Sequence, residues 1–77
     1  MTTLQRLIKL NNEVSHHTKL ARKANDEYVD HLRQGGSKDS LFAQKAYSEF
    51  EYHSEIVLHR SRLIHYLEEQ FEKEMEA

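Results

Sequence analysis

His31-Leu32-Arg33-Gln34-Gly35-Gly36-Ser37-Lys38-Asp39-Ser40 holds both glycines of a 77-residue chain that has no proline at all. Glycine and proline are the main interrupters of helices, so this stretch is where the chain is expected to turn. Gly35 can take the left-handed conformation that closes a helix, and Arg33 places a cation against the last carbonyls. Asp39 or Ser37 is then expected to cap the next helix. The fold predicted is all-α: one antiparallel, coiled-coil-like two-helix hairpin over residues 1–77. Its helices would run from about 3 to 34 and from about 40 to 74, with the turn at 35–39. Each would be about 50 Å long at 1.5 Å per residue.

Working outward, both flanks carry apolar residues at helical period. Leu7, Leu10, Val14, His17, Ala21, Ala24, Tyr28 and His31 or Leu32 recur at spacings of three and four. Ala46, Phe50, His53, Val57, Arg60, Ile64, Leu67 and Phe71 do the same after the turn. Neither half alternates as a strand would. Folding at Gly35-Gly36 pairs position n with about 71 − n, which brings Leu7 and Leu10 to Ile64 and Leu67, and His17 to His53 and Val57. Ala21 and Ala24 are expected opposite Phe50 and Tyr47, small against large.

A chain this short buries only about 60% of its unfolded surface. Small scaffolds therefore lean on a disulfide, a metal or a partner. With no cysteine, disulfides, thiolate metal sites and thiol catalysis are excluded. Eleven basic against thirteen acidic residues give no basic bias of the sort that phosphate neutralisation requires. Lys19, Arg22 and Lys23 are a thin patch followed at once by Asp26, Glu27 and Asp30, which weighs against an RNA-binding bundle. The longest apolar run is three residues, too short to span a bilayer, and Met1 to Leu7 lacks the apolar core of a secretory signal. A soluble, cytoplasmic protein is expected.

The second helix carries more apolar surface than one hairpin needs. Phe42, Ile56, Leu63 and Leu67 flank its seam, with Tyr52 and Tyr66 further round, and Leu4, Ile8 and Val29 lie off the first helix's stripe. An exposed apolar arc of this width marks an interaction site. The partner-binding residues expected are Phe50, His53, Ile56, Val57, Arg60, Leu63, Ile64, Tyr66 and Leu67. Of these, His53 and Arg60 are polar groups within the arc, selecting register or partner, or else snorkelling at the hairpin edge.

Six histidines raise the question of a metal. Glu13-Val14-Ser15-His16 has the Glu-x-x-His spacing of di-iron bundles, but such a site needs four inward carboxylates and the glutamates here face mostly outward. No metal and no cofactor are expected. His17 and His53 at one height would make stability depend on pH, because close imidazoles do not both charge cheaply. The serines lack a nucleophile elbow, there is no phosphate-binding glycine loop, and catalysis is not expected.

These features resemble the small E-type co-chaperones of bacterial type III secretion systems. The resemblance rests on the Met1-Thr2-Thr3-Leu4 start, the Arg33-Gln34-Gly35-Gly36 turn with its polar cap, and the apolar run Leu63-Ile64-His65-Tyr66-Leu67. The acidic stretch from Glu68 to Ala77 extends beyond it. It implies a cytosolic binding module that stabilises a tetratricopeptide-like chaperone and, through it, holds a needle subunit monomeric. On that resemblance Gly35 and Gly36 form the turn, and Leu63, Ile64, Tyr66 and Leu67 lie in or beside the chaperone-facing surface. The alternative is a self-associating hairpin, a four-helix-bundle dimer acting as a structural or regulatory adaptor.

Overall fold

The computed structural model describes residues 1–76 and is a two-helix antiparallel hairpin, with α1 over Thr3–Arg33 and α2 over Leu41–Glu76. The molecule is a rod, 59 × 18 × 14 Å. Both helices begin on side-chain caps. At α1 the Thr2 hydroxyl accepts from the Gln5 amide (3.1 Å) while the Gln5 side chain accepts from the Thr2 amide (2.9 Å), a reciprocal capping box. At α2 the cap is Ser40, whose Oγ accepts from the Ala43 amide at 3.1 Å. This corrects the expected cap at Asp39 or Ser37: Ser37 Oγ is used one step earlier, accepting from the Asp39 amide (3.1 Å) to shape the loop.

The end of α1 shows why two glycines stand together. Gly35 sits at φ +86°, a conformation in which a Cβ is disfavoured. Its amide donates to the Leu32 carbonyl (3.1 Å), and the Gly36 amide donates to that of His31 (2.8 Å). These are the two bonds of a Schellman motif, which satisfy carbonyls a helix end leaves unpaired. Gly36 is needed for a different reason: a Cβ there would overlap the His31 ring. That ring is held over the loop, its Nε2 3.2 Å from the Ser37 carbonyl and 2.9 Å from Ser40 Oγ, with the Phe42 ring tilted against it at a centroid distance of 4.9 Å.

The connection runs from Gln34 to Ser40, and its centre lies nearer Ser37 than the glycines. The pairing shifts accordingly. Cross-helix partners are Thr3 with Glu74, Glu13 with Arg60, His17 with His53, Tyr28 with Tyr47 and His31 with Phe42. Their numbers sum to between 70 and 77, against an expected value of about 71, so most of the pairs lie a few residues beyond the register counted from the glycines.

The core is thin. The buried apolar residues are Leu7, Ala21, Ala24, Ala43 and Ala46, and no large side chain is fully covered. Ala43, at 0% exposed, is the most buried of them and lies outside the predicted seam, which began at Ala46. Alanine at the contact lets two backbones approach closely, but each buried methyl contributes only about 0.8 kcal/mol. The larger seam residues (Leu10, Val14, Phe50, Val57, Ile64, Leu67 and Phe71) are half-buried. Two helices have no third wall with which to close over them.

Candidate functional site

The middle of the seam is polar. His17 Nδ1 lies 2.8 Å from His53 Nδ1, with ring centroids 5.0 Å apart and planes inclined by 29°. The centroid separation is close to the largest that this nitrogen contact allows, so the two Nδ1 atoms point at each other. One ring must donate and the other accept. A neutral pair or a singly protonated pair makes this bond; a doubly protonated pair has two donors and no acceptor. The pKa of His17 is lowered, chiefly by desolvation between the helices and then by the neighbouring His53 and His16, with Glu13 opposing and Arg60 assisting.

Arg60 Nε donates to Glu13 Oε2 at 2.8 Å, both side chains about one-third exposed. His53 and Arg60, which the sequence placed inside an apolar arc, therefore form cross-helix bonds, and neither merely snorkels. Glu13, expected to face outward, is half-buried and turned toward Arg60. A head-to-head imidazole pair does not converge on a common point as metal ligands do. Among the described residues no group of three or more histidine or acidic side chains is arranged to hold a metal ion.

The nine residues expected to bind a partner fall into two sets. Phe50, His53, Val57, Arg60, Ile64 and Leu67 are half-buried along the seam with α1. Ile56, Leu63 and Tyr66 lie on the next strip of α2, where Leu63 is 39% and Tyr66 59% exposed. Tyr52, 62% exposed, continues that strip toward the turn. The positions Tyr52, Ile56, His59, Leu63 and Tyr66 are spaced four, three, four, three, which is the spacing of a coiled-coil seam. It lies roughly 110° around the helix from the seam that α1 covers, at about 100° per residue.

An open trough of about 430 Å3 runs between the helices beside this strip, with Leu10, Leu63, Tyr66 and Leu67 in its floor and Arg6 and Lys9 on its rim. Among the described residues the single salt bridge is Glu13–Arg60, so Arg6 and Lys9 are unpaired. On the opposite side Leu4 (50%), Ile8 (54%) and Leu58 (53%) are also exposed. Leu58 was missed because, at period 3.6, it stands apart from both stripes.

No described helix is long and apolar enough to cross a membrane. No family model, curated protein or solved structure matches this chain.

Proposed function

We propose that this hairpin is a non-catalytic protein-binding module, an adaptor whose outer α2 strip docks on a larger helical protein. The observation that carries the reading is the outer strip of α2, with Tyr52, Leu63 and Tyr66 exposed and Ile56 half-buried, set beside a core made mainly of alanine. A fold with so thin a core gains stability from any surface that covers the strip, since each Å2 of apolar area removed from water contributes about 25 cal/mol. The resemblance to the E-type co-chaperones names the partner class: a tetratricopeptide-like chaperone in the cytoplasm, and through it an aggregation-prone needle subunit held monomeric before export.

The test is affinity purification of the tagged chain from its native host, with identification of what co-elutes. A tetratricopeptide-like chaperone together with a small needle subunit is the expected result. Leu63→Asp and Ile56→Asp should lose both proteins while keeping a helical circular dichroism spectrum, because each would desolvate an unpaired carboxylate at the contact. Wild-type recovery of the chaperone by both variants would place the docking surface elsewhere on the molecule.

A further inference from the structure

Charge is unevenly distributed along the rod. Residues 1–12 contain Arg6 and Lys9 and no acidic residue, and residues 56–67 contain Arg60 and Arg62 and no acidic residue. These two stretches lie side by side, as the Glu13–Arg60 bond and the trough between them show. A chain of net charge -2 therefore carries an acid-free basic zone at the trough, bounded by Glu13 and Glu55 on one side and by Glu68 on the other.

The cations on the trough's rim lack carboxylates within the chain. Lys9 has Glu13 as its neighbour one turn on, but Glu13 reaches across to Arg60 at 2.8 Å instead. The residues three and four away from Arg6 are Thr2, Thr3, Lys9 and Leu10, none acidic and one of like charge. Both cations also lie in the first two turns of α1, whose first turn has no acid. The helix dipole disfavours positive charge there. Arg6 and Lys9 are thus placed against local stability, and an outside anion would relieve that cost.

The floor of the trough defines the rest of the occupant. Leu10, Leu63, Tyr66 and Leu67 lie there, apolar surface that a phosphate chain has no means to cover. The trough is open along its length, whereas a small ligand site encloses most of its ligand. It spans Arg6 to Glu13 on α1 and Arg60 to Leu67 on α2, about 10 Å each at 1.5 Å per residue. That is two turns of a third helix laid in the groove, held by apolar anchors at i, i+3 or i+4, and i+7. Arg6 and Lys9 are one turn apart, so a helix running alongside α1 meets them with carboxylates three or four residues apart.

We infer that the trough receives an acidic amphipathic helix of the partner, its apolar side chains on Leu10, Leu63 and Leu67 and its carboxylates on Arg6 and Lys9. This rests on reading that side of α2 as a docking surface, and adds the charge and the secondary structure of what docks there.

The test is fluorescence anisotropy of the full chain with two labelled synthetic helical peptides. Each is about 14 residues long with leucines at i, i+3 and i+7, which fill about two turns; glutamates flank the leucines in one peptide and lysines in the other. The wild type should bind the glutamate peptide and discriminate against the lysine peptide, more weakly as salt rises and screens the contact. The double reversal R6E/K9E should lose about tenfold in affinity for the glutamate peptide, from two partly exposed ion pairs, and bind the lysine peptide instead. Glutamates near the start of α1 suit the helix dipole, so this variant should keep the wild-type helical circular dichroism. Equal binding of both peptides by the wild type overturns the inference, as does an R6E/K9E preference that fails to reverse. Oligouridylate that displaces the glutamate peptide would make the occupant a nucleic acid. A wild type that sediments at twice its 9.2 kDa mass, and at single mass as R6E/K9E, would assign the trough to the acidic Glu68–Glu76 end of a second copy. Either result also overturns the inference. If Leu63→Asp weakens both peptides while R6E/K9E changes nothing, the acidic partner is excluded and the docking surface stands.

Discussion

Replacing Gly36 by alanine tests the local device that closes the hairpin. The new Cβ would overlap the His31 ring, and because Gly36 is not at positive φ, that overlap is the whole penalty. The ring must leave the loop. It then gives up its contacts with the Ser37 carbonyl and Ser40 Oγ and its packing on Phe42. At about 1 kcal/mol for each hydrogen bond and about 1 kcal/mol for the aromatic contact, the loss is about 2–3 kcal/mol. A domain of this length has a total stability of about 4–12 kcal/mol. The midpoint of thermal unfolding should fall by about 10–15 °C, followed by circular dichroism at one protein concentration, since self-association would shift it by mass action. The decisive comparison is the double variant. His31→Ala removes the same contacts directly, and Gly36→Ala in that background should be neutral or slightly stabilising, because it only restricts the unfolded chain. Gly35→Ala should cost about 1 kcal/mol in either background, because its penalty is backbone conformation at φ +86°. An equal cost for Gly36→Ala with and without His31 would refute the role given to the ring.

Stability should fall on acidification. The lowered pKa of His17 means that the unfolded chain binds its proton first, so this contribution is complete above about pH 6.5 and is lost as the pH drops through the folded-state value; His17→Leu should flatten urea-denaturation stability between about pH 7.5 and about pH 5.5, and an unchanged slope would exclude the pair. Ala43→Leu, at the most buried position, should destabilise by about 1–3 kcal/mol through overpacking, and a neutral result in chemical denaturation would mean the helices separate easily there. A double-mutant cycle on Glu13→Gln and Arg60→Met should give a coupling of about 1 kcal/mol or less, because both side chains are one-third exposed and solvent screens the pair; larger coupling measured by denaturation would show that the pair is better shielded than its exposure indicates.

The number of helices, their approximate ends and their antiparallel order were all legible before any coordinates. This follows from what local sequence encodes: period 3.6 in the apolar residues, interrupted once at Gly35-Gly36. The Thr2–Gln5 capping box was legible too as Thr-x-x-Gln, and the helix start was placed beside it without that reading. The meeting of His17 with His53 also followed from counting outward from the turn, because that pair lies within one residue of the expected register.

What counting could not supply is which half-buried group answers which. Glu13 sits on the edge of its stripe, and whether it faces water or Arg60 depends on how far α2 is rotated and slid, set by the seven-residue connection and by alanines that let the backbones close. Ala43 escaped for the same reason: a small residue near a turn gives no periodic signal until a neighbouring helix is seen to cover it. His31 was legible as a stripe member, but its grip on the loop depends on a ring orientation that nothing in local propensity specifies. The division of α2 into a strip turned toward α1 and a strip left open was likewise a matter of rotation. Apolar content shows how much surface wants covering, and only the packed pair shows which part remains uncovered.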